Sequence, residues 1–380
     1  MQNLNTNARI KLTILSPVHV GAGSDKWLKY GIDWLDIDDY VYILNQESVF
    51  EELGSSQDKY LDFIGKGNFF DAGKVIHEYI DVTDKQFHHN AYFYDGGALK
   101  DDIQPLIRTG LGETYLPATS IKGAISSIIF RYLFNTKGLA KAAYNKHTQT
   151  DLMGSFKSSI MRFVRPSDVV VAETEYNNAI LFNLYSDKRD SSKWTSEYKT
   201  EKNGKNFKIS IEHFKTNATG TMRLSIATGL ADFIIKNKPV ELPLNYSLVI
   251  KENPIDFLFS LINKHTDEHL RREIAFFEKY NQADDIEMVI KQLKALQQKI
   301  AIYVDNKTCI LRMSSGIGFH GITGDWRFED HTSTIAKPDE LNKTWSQTQR
   351  ATVPARYKSR KLIDAADLAA MGFVELKQVL

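Results

Sequence analysis

The chain has one cysteine, Cys309, among its 380 residues. A single thiol closes no intramolecular disulfide and builds no cysteine-rich zinc site, which excludes the disulfide-stapled secreted class and fits a reducing compartment. No stretch comes near the roughly 18 consecutive apolar residues of a membrane span. Met1 to Ile10 is polar and Asn-rich, without the apolar run of a signal peptide. The expectation is a cytoplasmic chain with no membrane partner. An excess of one charge is also lacking, since Lys+Arg number 48 against 47 Asp+Glu. Net charge therefore gives no reason to expect a nucleic-acid partner, and any such reason has to come from local clusters.

What is present is ordinary for a globular protein: 42% apolar and 25% charged residues, with length enough for two domains or one large one. Arg9 to Leu15 alternates polar and apolar side chains, which predicts a strand running into the loop Ser16-Pro17-Val18-His19-Val20-Gly21-Ala22-Gly23. WLDIDDYVYIL, Trp34 to Leu44, predicts a hairpin turning at Asp38-Asp39. Residues 46–80 read as two short helices interrupted at Gly54-Ser55-Ser56. Tyr115 to Ala124 leads into the apolar-periodic run Ile125, Ile128, Ile129, Leu133, with Thr119 or Ser120 as the expected N-cap. Leu152 to Ser155 reads as a loop, and Ile160 to Val171 as a strand in which Pro166 argues for an edge or a bulge. Residues 187–208 read as a mobile polar loop, followed by strands at Lys208–Lys215 and Gly220–Ile226. Asp256 to Ile302 is the clearest helical region, broken near Asn281, and Cys309–Met313 is a short strand. Helices interleaved with hairpins, without strict βαβ alternation, predict an α+β fold.

Three glycine-bearing loops carry the chemistry: His19 to Ser24, Ser120-Ile121-Lys122-Gly123, and Gly316-Ile317-Gly318-Phe319-His320-Gly321. Glycine lets a backbone approach a phosphate, helix N-terminal amides favour an anion, and lysine adds a point charge. Tight turns after strands are the plain alternative. Neither a P-loop nor a complete Rossmann fingerprint is present. Arg350, Arg356, Lys358, Arg360 and Lys361 surround Tyr357 without an intervening carboxylate, and Arg162 and Arg165 bracket Phe163. Such pairings offer single-stranded RNA both charge and a stacking surface, although a solvated charged face fits equally. Phe319 beside His320 suits either base stacking or burial. His19 and His320 are the tempting acid–base pair, but a histidine beside glycine is more often a hydrogen-bonded loop residue. Asp33, Asp36, Asp38 and Asp39 would fall on two faces of a hairpin, which disfavours a shared metal, and His88-His89 lacks a third ligand. No catalytic residue, metal site or cofactor is assigned.

Taken in order, SPVHVGAG (Ser16 to Gly23), YLPATSIKGAI (Tyr115 to Ile125), LMGS (Leu152 to Ser155) and SSGIGFHGITGDW (Ser314 to Trp326) resemble the signature of the CRISPR-associated RAMP superfamily. Together with the closing basic stretch and MGFVEL, they are most similar to the Csm-five family of the type III-A effector complex. The resemblance implies two ferredoxin-like, RRM-related RAMP domains with helical insertions and glycine-rich loops, here expected at 1–185 and 186–380. It implies a noncatalytic subunit that binds crRNA, caps the backbone at its 3′ end and supports its maturation in antiviral defence. Its implied partners are crRNA and other type III subunits, the neighbouring backbone RAMP subunit above all, with host nucleases as further candidates.

Residue by residue, the resemblance implies RNA contacts at His19, Gly21 and Gly23, at Ser120, Lys122 and Gly123, and at Gly316, Gly318, Phe319 and His320. Arg162, Arg165, Arg356, Lys358, Arg360 and Lys361 join them on charge. Ser314-Ser315 stands where the family carries more glycine or a basic residue. Alternatives are a RAMP endoribonuclease that processes precursor crRNA with His19 as general acid or base, another type III RAMP backbone subunit, and an RNA-binding scaffold unrelated to CRISPR.

Overall fold

A computed structural model describes residues 5–95, 98–99, 102–139, 147–186, 194–197, 208–237, 242–243, 245–250, 253–279, 284–313 and 359–379. The first third of the chain runs β1 (Thr6–Ile14), β2 (Leu28–Lys29), β3 (Trp34–Ile37), β4 (Tyr40–Leu44), α1 (Gln46–Glu52), α2 (Gln57–Gly65), α3 (Phe69–Tyr79), β5 (His88–Phe93), β6 (Asp102–Gln104) and β7 (Tyr115–Leu116). The middle runs α4 (Ala118–Thr136), α5 (Thr148–Met153), β8 (Val164–Pro166), β9 (Val169–Val170), β10 (Thr174–Ser186), β11 (Trp194–Glu197), β12 (Lys208–Phe214) and β13 (Thr219–Ile226). Then follow α6 (Thr228–Asn237), α7 (Tyr246–Val249), α8 (Pro254–Lys279), α9 (Asp284–Ala301), β14 (Thr308–Arg312), β15 (Ser359–Asp364), β16 (Leu368–Ala370) and β17 (Phe373–Val379).

An antiparallel five-stranded sheet, ordered β14-β17-β1-β13-β8, holds the main core. The alternation of β1 buries Ile10, Leu12 and Ile14 fully and turns Arg9 and Lys11 outward. Ile121, Ile125 and Ile129 of α4 and Leu258, Phe259 and Ile262 of α8 belong to the same apolar cluster. The free edge at β14 is covered by α8: Asn263 donates to Thr308 O and accepts from Ile310 N, and Thr266 Oγ1 donates to Ile310 O at 2.7 Å. A second sheet, β16-β15-β10-β12-β6-β2 with β11 beside β10, packs Ile180, Phe182 and Leu362 against Leu270, Ile274 and Phe277 of α8 and Val289 and Leu293 of α9. The hairpin β3-β4 with β5 forms a smaller sheet whose core is filled from α1, α2 and α3.

The fold is the expected mixture of helices and largely antiparallel sheets, with β6 parallel to β12 in the second, and several boundaries differ from the sequence reading. The β3–β4 turn falls where expected, with Asp38 and Asp39 both at positive φ, 48° and 63°, as a two-residue primed turn requires. The 46–80 region forms three α-helices, because Gly67-Asn68 breaks it a second time; Asn68 caps α3 through Asp71 N. Ile160–Val171 divides into a 3-10 turn at Ile160–Arg162 and the two short strands β8 and β9, with β8 at the sheet edge as Pro166 predicted. Leu152 and Met153 are the last turn of α5, which Gly154 ends at φ 89°. Within 187–208, Trp194–Glu197 is a strand paired with β10. Both larger sheets draw strands from either side of residue 186.

Candidate nucleic-acid interface

β1 delivers the first glycine loop to the junction of the two large sheets. Ser16 Oγ accepts from Phe373 N, Phe214 N donates to Val18 O, and Ile107 N donates to Val20 O. His19 is only 2% exposed, and its Nδ1 lies 2.6 Å from Glu212 O. Burial holds its pKa below the ordinary imidazole value, against the raising effect of the Glu212 carbonyl. A methyl group on Gly21 would come 2.9 Å from His19 Nε2, so glycine there makes room for the ring. Gly23 sits at φ 113°, opening the turn into Ser24–Lys26. The expected contact of His19 with RNA is therefore corrected: the imidazole organises the loop from within.

The second loop connects to the first through 105–116. Gly21 pairs with Leu106, Tyr115 N donates to Ile107 O, and β7 pairs with β9. Residue by residue, this path joins the glycine loop to the start of α4. The helix begins two residues before the expected cap: Pro117 is the N-cap and offers no side chain, and Asp168 instead accepts from Ala118 N at 2.6 Å. Asp168 has no signal in sequence, lying 50 positions away. Ser120 and Lys122 are half-buried and Gly123 is exposed with open space above it. Burial and the neighbouring Arg165 both lower the Lys122 pKa. Lys122 thus stands near the start of a helix whose own first turn carries no acidic residue, with the Asp168 carboxylate supplied from outside the helix.

Arg162 and Arg165 are exposed, and each is fixed by a carbonyl: Arg162 Nη1 donates to Lys157 O, and Arg165 Nε to Arg162 O at 3.1 Å. The aromatic partner expected between them is not available, because Phe163 is 1% exposed in a cluster with Ala231 and Ile234. Arg162 lies on the 3-10 turn and only Arg165 on a strand.

Gly316, Gly318, Phe319, His320, Arg356 and Lys358 lie outside the described residues. The position where the third loop departs is described. Met313 N donates to Gly372 O, and Gly372 N donates to Pro17 O, so Met313 stands two hydrogen bonds from the first loop. Of the C-terminal basic cluster, Arg360 is corrected from a surface cation to a core one. Its guanidinium pairs with Glu273 and lies 3.9 Å from the centre of the Phe276 ring. Lys361 points to the other face of β15, half-buried, with its pKa lowered by burial. Its charge also reaches His19 and helps to depress that residue.

Sequence reasoning missed the polar pair beneath this junction. Glu212, fully buried, takes a bidentate pair from Arg108 at 2.6 and 2.8 Å and a further bond from Leu106 N. With the partners 104 positions apart, neither is signalled locally. His213 is buried beside it, 2.9 Å from Asn177 Oδ1. Among the described residues no group of three or more His, Cys, Asp or Glu is placed to hold a metal. Asp33 is engaged by Lys29 N and Gln46 Nε2. No helix among the described residues is long and apolar enough to cross a membrane.

A glycine-loop junction between two sheets, with cations at a helix start beside it, is the architecture in hand, and comparison places it. The sequence profile of the RAMP superfamily matches residues 11–328, and the chain belongs to that superfamily. Its fold is similar to that of a chain in a type III-A CRISPR-Cas Csm-crRNA-target RNA ternary complex, with TM-score 0.68, 15% identity, and 98% of this chain and 100% of that one covered. It is also similar to T. onnurineus Csm5, with TM-score 0.63, 15% identity, and coverage of 96% and 99%. No curated protein sequence matches it.

Proposed function

We propose that this chain is a noncatalytic, crRNA-binding subunit of a type III-A Csm complex, capping the row of backbone subunits at the crRNA 3′ end. The observation that carries the reading is the linkage of the first two loops, in which Gly21 pairs with Leu106 on the path to α4, while Met313, the last described residue before the third, bonds Gly372, which donates to Pro17. The end-to-end fold likeness to Csm5 and to a chain from a Csm-crRNA-target RNA complex supports it. Guide contact is assigned to Gly23, Ser120, Lys122, Gly123, Arg162 and Arg165, with Lys361 at the rim, and Gly316, Gly318, Phe319, His320, Arg356 and Lys358 are kept as proposed contacts.

Two ferredoxin-like units form part of this proposal. In the five-stranded sheet the order β17-β1-β13-β8 with α4 and α8 supports reading one such unit, with β14 added at its edge. The units follow the two large sheets rather than a single cut between residues 185 and 186.

The test is incubation of the purified chain with end-labelled crRNA at several salt concentrations. Retention of full-length RNA is expected, with a log–log salt slope of about −3 to −4 for some four to six neutralised phosphates at roughly −0.7 each. A slope of zero would refute the phosphate contacts. Cleavage of a repeat-containing RNA at one position would refute the noncatalytic role.

A further inference from the structure

Phe156 is 96% exposed, a bulky ring that contributes nothing to the core. Isolated surface apolar residues are common, so the exposure alone decides nothing. What sets this ring apart is how it is presented and what surrounds it. Ser158 N donates to Ser155 O at 3.1 Å and Ser155 N donates to Ser158 Oγ at 3.1 Å, which closes a four-residue turn with Phe156 and Lys157 at its apex. The turn is anchored from behind. Gly154 holds φ 89°, and a methyl group there would come 2.5 Å from Ser158 O and 2.8 Å from Pro243 Cγ.

From that apex a chain of contacts leads through cations. Arg162 donates to Lys157 O and Arg165 donates to Arg162 O, and the Arg165 charge adds to burial in lowering the Lys122 pKa. Lys157, Arg162 and Arg165 are exposed. Among the described residues, the flanking segments carry the carboxylates Asp151 of α5 and Asp168, the latter engaged by Ala118 N. A solvent-facing aromatic ring on a fixed turn, with the exposed cations Lys157, Arg162 and Arg165 linked to it through successive backbone carbonyls, is the combination that takes single-stranded nucleic acid: bases stack on the ring while phosphates follow the charge. Pre-fixing the turn lowers the ordering cost of the contact.

We propose that the Ser155–Ser158 turn is a base-stacking platform for single-stranded RNA, with one nucleobase on the Phe156 ring and the adjoining phosphates directed toward Lys157, Arg162, Arg165 and Lys122. The inference rests on the RNA-binding reading above and adds to it a residue and a mode of contact. No sequence specificity follows, since every base offers a π-face.

The experiment measures the affinity of the full chain for fluorescently labelled crRNA with Phe156→Ala, Phe156→Trp and Lys122→Ala. Stacking is worth about 1–3 kcal/mol per base on alanine substitution, so Phe156→Ala should weaken binding by about fivefold to a hundredfold. Phe156→Trp should retain it. Because the ring buries nothing, the melting temperature of Phe156→Ala should equal that of the wild type. A crRNA carrying an abasic site at the stacked position should bind the wild type weakly and lose nothing further with Phe156→Ala.

Unchanged affinity for Phe156→Ala, with Lys122→Ala weakened, would overturn the platform and leave the RNA reading standing. If neither substitution alters binding, both readings of this face fall. Loss of association with the other subunits in the absence of RNA, with RNA affinity intact, would assign Phe156 to a protein contact and overturn the proposal.

Discussion

Arg360 and Glu273 form a bidentate pair in the protein interior, Nε to Oε2 at 2.6 Å and Nη2 to Oε1 at 3.0 Å, with side chains only 6% and 5% exposed. The pair joins β15 to α8 and is roofed by the Phe276 ring. A basic stretch that looks like an RNA-binding tail thus contributes Arg360 to folding. Removing either partner takes the bidentate contact away from a buried charge, a loss on the order of 3–5 kcal/mol. Arg360→Ala and Glu273→Ala should therefore each lower chemical-denaturation stability by that order, and the double variant should lose much less than their sum. Additive losses would show that the two groups do not act as a pair.

Lys122 and Arg165 should act on RNA rather than on stability. Their mutual proximity is unfavourable, and removing one relieves the other. Lys122→Ala and Arg165→Ala should each weaken crRNA binding and flatten the salt slope by about 0.7 per lost phosphate contact. Their melting temperatures should stay at or above the wild-type value. A lowered melting temperature with RNA affinity unchanged would make these residues structural.

Gly123 and Gly21 should separate two uses of glycine. Nothing lies within 4 Å of a methyl group built on Gly123, in the interior of α4, so Gly123→Ala should stabilise the helix by up to about 1 kcal/mol. It should nevertheless weaken crRNA binding, because the methyl group occupies space reserved for the RNA backbone. Gly21→Ala instead presses on His19 Nε2 and should destabilise the fold by about 1 kcal/mol, the value of a net hydrogen bond at Glu212 O. Thermal melts paired with binding isotherms distinguish the two, and a Gly123→Ala that stabilises without loss of affinity contradicts the assigned close approach.

Acid should destabilise the protein through its buried histidines. Burial keeps the folded-state pKa values of His19 and His213 below the ordinary 6.5. Between the lowered folded value and 6.5 the unfolded chain binds more protons, so stability rises with pH across that window and is lost as pH falls through it. Denaturation midpoints should drop from pH 7.5 toward pH 5, and less steeply in His213→Gln. An unchanged slope in that variant would place the pH dependence elsewhere.

How much of this was legible in sequence follows the range of the interactions. The β3–β4 turn was readable because Asp38-Asp39 carries its own conformational preference, and the α8–α9 region because its apolar period is local. The start of α4 was misplaced because its capping group, Asp168, arrives from the distant connection between β8 and β9. Arg360 and Phe163 were taken for surface residues because composition cannot say which face of an element a core covers, and here α8 and α6 cover them. The Arg108–Glu212 pair left no local trace at all. The first two glycine loops were legible as segments, while their linkage depended on the pairing of Gly21 with Leu106 and on Val18, just past β1, meeting β12 at Phe214.

The most direct test of the central claim is the 3′ boundary of nuclease protection on 5′-labelled crRNA in Csm complexes assembled with and without this chain. The account predicts that the chain extends protection at the 3′ end without producing any cut of its own, and that Lys122→Ala with Arg165→Ala shortens the extension. A 3′ boundary that does not move when the chain is added, or a site-specific cleavage product that appears with it, would contradict the account.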